Sequence, residues 1–207
     1  MPRSGRGSSA GRPVTEPLPG VASPACSLAD LERMLTATPA MVWGEIQGMP
    51  EALQRWRPGP RAWCALEVVG HLTEADLRAF LGRIILLREG PGVAFEPWDP
   101  DLVAAGRRDD GKSAEQVVEE FAKVRALGVG VVRELSAADL ALSGRHPDVG
   151  ALTVGNLLAE WVAHDRAHLA QLGQITRASM LPGMGRAVRF GHAEETLAWW
   201  EGLNRSS

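Results

Sequence analysis

Four stretches of this chain repeat apolar residues at helical spacing, and almost none alternate apolar with polar. Such a sequence can bury its hydrophobic surface only by packing helix on helix. Ser27 opens the first stretch, with Leu28, Leu31, Leu35, Val42 and Ile46 on one face. Pro39 inside it predicts a kink or a break after Thr38, because proline lacks the N–H that a helix interior uses. After the turn Trp56-Arg-Pro-Gly-Pro60, a second helix is expected from about Ala62 to Arg88, closed by Gly90-Pro-Gly92. The stretch from Pro97 to Gly111 reads as irregular. Ser113 and Gln116 make a capping box for a third helix carrying Val117, Phe121, Val124, Gly128, Val131 and Leu135. A short helical turn over 136–142 and a loop over 144–150 precede the fourth helix, about Thr153 to Arg177. Leu181-Pro-Gly-Met-Gly185 ends it, and Ala193 to Leu203 reads as a short terminal helix. These elements predict an all-α, up-down four-helix bundle over residues 27–178, followed by a C-terminal helical extension over 179–207.

Composition narrows the function classes. In 207 residues, 45% hydrophobic and 23% charged match an ordinary globular protein. A net charge of −3 gives no electrostatic reason to expect nucleic acid or an anionic membrane as partner. No apolar run approaches the roughly 20 residues that span a bilayer. Two cysteines, Cys26 and Cys64, are too few for a disulfide scaffold or a cysteine zinc site, and a reducing cytoplasm is the expected compartment. Residues 1–26, rich in Gly, Ser, Pro and Arg, lack the apolar core of a secretory signal and are expected to be a disordered tail or an upstream extension from a misassigned start.

His164 and His168 stand four residues apart in the fourth helix, beside Val154, Leu157, Leu158, Trp161, Leu172 and Ile175. At about 100° per residue, with Leu157 as zero, Trp161 falls near 40°, His164 near −20° and His168 near 20°. This spacing predicts both imidazoles in the middle of the buried stripe. Two buried polar rings one turn apart need satisfying, and a divalent metal ion does so when imidazoles at i and i+4 converge on it. Such a pair can also be hydrogen-bonded core or a solvated face. His71, on the flank of the second helix's stripe beside Cys64, Ala75 and Gly82, is the candidate third ligand. It lies near the middle of one long helix as the pair does of another, and facing bundle helices bring such positions together.

The order of motifs resembles the DinB/YfiT-like superfamily of four-helix metal-binding proteins. It runs Arg55-Trp-Arg-Pro58 and Arg61-Ala-Trp63, then Glu67-Val-Val-Gly-His-Leu72, a third helix, Gly144-Arg-His-Pro147, Leu152-Thr-Val-Gly155 and Trp161-Val-Ala-His-Asp-Arg-Ala-His-Leu-Ala-Gln171. The resemblance covers roughly residues 28–178. It implies a three-histidine site made of His71, His164 and His168. Some mycothiol-using relatives carry Glu where His164 stands, so this chain sides with the three-histidine branch. The resemblance further implies a divalent ion, zinc or nickel most often, with positions open to water or substrate. It also implies transfer of a low-molecular-weight thiol such as bacillithiol or mycothiol, although many relatives have no established activity.

Three neutral imidazoles leave the ion's charge uncompensated. Such a centre lowers the pKa of water towards about 7 and takes up a thiol as thiolate. The reading that follows is a metal-dependent transferase that directs a small thiol at an electrophile. The alternatives are a hydrolase that activates water, and a non-catalytic metal-binding or dimerising helical protein. Asp165 occupies the place of Glu in His-Glu-x-x-His proteases, but its shorter carboxylate and the upstream third ligand argue against that chemistry. It is expected either to orient an imidazole or to be solvated. No residue is assigned as catalytic acid or base, Glu74 and Glu160 included. His146, His192 and Cys64 are expected to pack or face solvent, the tryptophans to fill the core, and Trp161 to be the one that lines the pocket. The expected partners are a small-molecule substrate and a second copy of the chain, paired through an exposed apolar face.

Overall fold

A computed structural model describes residues 26–204 apart from residue 91, so the tail expected over residues 1–26 lies, but for Cys26, outside the described residues. Eight α-helices are described: α1 (Leu28–Gly48), α2 (Glu51–Gln54), α3 (Ala65–Ala75), α4 (Gly82–Glu89), α5 (Pro100–Arg107), α6 (Ala114–Arg133), α7 (Val154–Met180) and α8 (Gly191–Asn204). A π-helical turn, Asp76–Leu81, joins α3 to α4 in one unbroken helical run. That run, with α1, α6 and α7, makes the expected all-α four-helix bundle, and α8 is the C-terminal extension. α1 packs along α6 and α7, and α3 packs along the same two, so the ring order is α1, α6, α3, α7.

Local chemistry sets the helix starts. Capping boxes are formed by Ser27 with Asp30, Ser113 with Gln116 and Thr153 with Asn156, each satisfying N–H groups of a first turn. The second helix begins at Ala65 rather than near Ala62, because Glu67 accepts the backbone N–H of Cys64 at 2.9 Å and fixes the start there. The stretch expected to be irregular holds α5, started by Asp99, whose carboxylate accepts the N–H groups of Asp101 and Leu102. The expected loop at 144–150 is part of a β-hairpin, β1 (Ser143–His146) and β2 (Gly150–Thr153). Four-residue strands are too short to show a period, and residues 92–95 support them from outside: Gly92 N–H donates to Ser143 O, Arg145 N–H to Val93 O and Phe95 N–H to Arg145 O.

Pro39 neither breaks α1 nor ends it. The carbonyl of Leu35, whose usual i+4 donor proline removes, accepts Nη1–H of Arg125 at 3.2 Å instead. Arg125 is 1% exposed and also bonds Asp76 through Nε and Nη2, both at 2.8 Å, and Asp165 through Nη1 at 2.5 Å and Nη2 at 2.8 Å. Thr38 Oγ1 donates to Asp165 at 2.7 Å, and Trp161 Nε1–H donates to Asp76 at 2.6 Å. Burial works against the guanidinium charge, but the bonds to Asp76 and Asp165 outweigh it and hold Arg125 above the ordinary arginine range. All four bundle helices therefore meet at one side chain.

This polar layer divides the apolar core in two. On one side lie Val42, Ile46, Leu66, Val69, Leu72, Val117, Phe121, Leu172 and Ile175. On the other lie Leu35, Phe80, Ile84, Val129, Val132, Leu157, Leu158 and Trp161. α6 brings its backbone close to Trp161 through Gly128, where a Cβ would fall 2.5 Å from the indole.

Arg125→Met leaves two carboxylates buried without a cation and returns the Leu35 carbonyl to an unsatisfied state. Its unfolding free energy in urea should fall by about 3–5 kcal/mol. A loss below about 1 kcal/mol in that titration would contradict the role given to Arg125 here.

Candidate metal centre

α3 places His71, and α7 places His164 and His168 one turn apart. His71 is buried, whereas His164 and His168 are half-buried. The expectation that the pair occupies the middle of the stripe is therefore corrected. The fully buried positions of α7 include Trp161, Asp165, Leu172 and Ile175, so the stripe is centred further round the helix. Asp165, drawn inward by Arg125, takes the central place and turns the imidazoles onto the flank that faces α3. It neither orients an imidazole nor meets solvent.

The three Nε2 atoms converge. His164 Nε2 lies 3.1 Å from His71 Nε2 and 3.2 Å from His168 Nε2. An ion held at about 2.0–2.1 Å from each nitrogen sets N···N edges of roughly 2.9 Å at right angles and roughly 3.3 Å at tetrahedral angles. The two edges that meet at His164 fall between those limits, and the ligand atoms of all three histidines lie within 4.8 Å of one another. Nδ1–H of His168 donates to Gln171 Oε1 at 2.7 Å, which leaves its Nε2 lone pair for the cluster. No arrangement of protons lets three neutral rings each donate into the shared space, whereas one cation accepts all three lone pairs. Donor set and spacing thus fit a divalent ion. Among the described residues, no carboxylate or thiol joins the three histidines.

Burial is also the main cause of the rings' neutrality. It pushes His71 down to about 3, helped by His168 and His164. It pushes His164 down to about 3, helped by His168 and Arg125. His168 is lowered by the same burial, against the upward pull of Gln171 and Asp165. The neutral form is the one that binds metal, so these shifts keep the cluster ready as a ligand set far below neutral pH.

Aromatic rings wall the cluster. The ring centroids of Trp63 and Trp98 lie 4.8 and 5.8 Å from that of His71, and Phe80 meets His164 edge-on with centroids 5.3 Å apart. Trp161 does not line the pocket: it is fully buried and stacks on Phe80, one layer behind. A cavity of about 190 Å³ opens beside Trp63 and Gln171, with Trp199 and Leu203 of α8 on its far wall. A larger apolar cavity of about 540 Å³ lies between Trp56, Leu181 and Trp200, and neither cavity has any of the three histidines in its lining.

The remaining candidates stand apart. His146 is in β1 and accepts the N–H of Asp148. The carbonyl of His192 accepts from Arg177. Cys64 is buried at the start of α3, its thiol pushed up to about 11 mainly by burial. Glu74 is tied to Arg78 and Arg107, and Glu160 is exposed. Gln171, Trp63 and Trp98 are site residues that the sequence reading passed over. Gln171 stands at i+3 from His168, a spacing that would have flagged it.

The profile of the DinB superfamily matches residues 34–172. No curated protein sequence matches the chain. Among solved structures, YfiT from Bacillus subtilis has the same fold, with a TM-score of 0.68 and 18% identity, over 80% of this chain and 94% of that one. YfiT is described as a probable metal-dependent hydrolase with an unusual four-helix bundle topology.

The depressed histidines make stability depend on pH in a defined direction. Unfolded imidazoles take up protons below about 6.5, while folded His71 and His164 do not until about 3. Metal-free protein should therefore be fully stabilised above about 6.5 and lose stability steadily as pH falls towards 3. Urea midpoints across that range test the slope. Proton NMR of the imidazoles should show two rings still neutral at pH 5.

Proposed function

The chain belongs to the DinB superfamily, and we propose that it is a metal-dependent hydrolase whose ion is held by His71, His164 and His168. The observation that carries this reading is the approach of the His71 and His168 Nε2 atoms to that of His164, at 3.1 and 3.2 Å, with the proton of His168 held on Nδ1 by Gln171. YfiT, which shares the fold, supports hydrolysis as the reaction. Zinc and nickel are the ions proposed, since both accept imidazole nitrogen. When bound on three neutral ligands, such an ion acts as a Lewis acid that lowers the pKa of water towards about 7 and polarises a carbonyl or phosphoryl group.

The chain's own residues prepare that chemistry. Gln171 keeps His168 in the correct tautomer and orientation. Trp63, Trp98 and Phe80 exclude bulk water and strengthen electrostatic interactions in the pocket. The proposed unit is residues 27–178, with the extension over 179–207 supplying Trp199 and Leu203 to the neighbouring cavity. The substrate is a small molecule.

Thiol transfer is the second reading, favoured by the carboxylates around the site. Glu74 is bound to arginines, as are Asp76 and Asp165, so none is free to act as general base. A thiol such as bacillithiol or mycothiol, taken up as thiolate, would need no such base.

Mass spectrometry of tag-free protein should find about one zinc or nickel ion per chain, lost in His71→Ala, His164→Ala and His168→Ala. Gln171→Leu should weaken metal binding about 10–100-fold. Metal-loaded wild type should hydrolyse an activated ester or phosphoester, and the histidine variants should not. If titrating the cobalt-substituted protein with cysteine instead gives a thiolate-to-cobalt absorption band, and no ester is cleaved, the transferase reading replaces the hydrolase. An apoprotein that stays metal-free after reconstitution with either ion would sink both.

A further inference from the structure

Gln171 belongs to two places at once. Its Oε1 accepts Nδ1–H of His168 at 2.7 Å, and the residue also lines the cavity of about 190 Å³ beside the cluster. Its amide N–H2 group is bonded to no described residue and is not sealed off from solvent. Two donor hydrogens are therefore left for whatever enters the cavity. Trp63 is the second shared wall, its ring lying against His71. No histidine lines the cavity, so an occupant acts on the cluster only through residues that belong to both.

The far wall of the cavity is held by specific contacts. Nδ2–H of Asn204 donates to Pro58 O at 2.9 Å, which ties the end of α8 to the turn before Trp63. Gly59 lets the two approach: a Cβ there would fall 2.9 Å from Leu203 Cβ and 3.2 Å from Leu203 O. At the other end of α8, Arg177 donates to His192 O. The cavity is thus bounded by docked structure, which lowers the cost of ordering on binding. Its size suits one ring, since an apolar cavity of about 150 Å³ holds benzene. The indoles of Trp63 and Trp199, with Ile175, suit a flat one. Arg61 and Asp101, both exposed, place one charge of each sign at the edge, so neither a net anion nor a net cation is favoured.

We propose that this cavity is a second small-molecule site, taking a neutral ring with a carboxamide or lactam group, and that its occupant tightens metal binding through Gln171. The carbonyl of such a group accepts from the Gln171 amide, and its N–H finds an acceptor in Asp101. A hydrogen bond made by the Gln171 N–H2 group polarises the amide and strengthens Oε1 as acceptor of His168 Nδ1–H. A stronger acceptor there makes Nε2 of His168 the better metal ligand. The coupling is reciprocal, so the ion tightens the ring by the factor by which the ring tightens the ion. The effect on the ion rests on reading the three histidines as a metal centre, whereas the site itself does not.

Benzamide, which carries the ring and both polar groups, is titrated calorimetrically into the full chain, metal-free and zinc-loaded, beside toluene and benzoate. Metal-free wild type should bind benzamide with a Kd on the order of 1 mM, as suits a ligand this small. Zinc should tighten it by about threefold or more, and toluene and benzoate should bind about tenfold more weakly. Trp199→Ala, which removes a wall, and Leu203→Trp, which fills the space, should each weaken benzamide binding by about tenfold or more. In metal-free protein benzamide should shift the imidazole NMR signals of His168, and in Gln171→Leu it should leave them in place. The proposal is overturned if wild type binds no benzamide, if either control binds as tightly, or if both wall variants keep the affinity. Unmoved His168 signals in wild type, or a Kd that bound zinc leaves unchanged, overturn it as well. If the chain takes up no zinc, the hydrolase reading falls alone, because the metal-free titrations and the His168 signals still decide the site.

Discussion

Everything in this bundle is aligned on the buried guanidinium of Arg125. It receives one carboxylate from the α3 run and one from α7, repairs a carbonyl of α1, and is itself carried by α6. Hydrophobic side chains alone would pack these helices in several registers, since sliding one by a turn exchanges one leucine for another. A charged layer allows one register only, because any slip strands an ion in an apolar interior. The layer adds little net stability relative to well-packed hydrocarbon, but it restricts the alternatives.

The metal-binding geometry depends on that alignment. Asp165 directly follows His164, so pulling its carboxylate towards Arg125 fixes the rotation of α7 and hence the direction of both imidazoles. Asp76, the first residue of the π turn, fixes the opposite helix five residues beyond His71. Bringing His71 to 3.1 Å from His164, on elements so far apart in sequence, requires tolerances of a few tenths of an ångström, and rigid partners on both sides supply them. The half-buried flank occupied by His164 and His168 keeps the cluster within reach of a small molecule.

The fold was largely legible because caps and apolar spacing are local signals. Ser27 and Ser113 each announced a helix, and the stripes named most of the core. The three histidines that converge were legible too, from their positions along two long helices and from the motif order around them. What escaped depends on distant partners. Arg125 falls at i+4 from Phe121 on the buried face of α6, a position where periodicity expects an apolar residue and where charge reads as an exception. Asp165 was obscured for the same reason, being explained only by Arg125. The π turn leaves no periodic trace of its own, although Gly82 admits it: a Cβ there would meet Leu77 O at 2.4 Å. The hairpin escaped because its strands are shorter than any pattern can show.

Pro39 has a consequence for the order in which the chain assembles. The first helix cannot complete its own hydrogen bonding, since the carbonyl of Leu35 waits for a donor that arrives ninety residues later in the chain. Residues 28–48 alone would leave that carbonyl to water, and only the docked bundle gives it a partner from within the chain. The continuity of α1 past Pro39 is thus completed from outside, by a side chain that α6 carries.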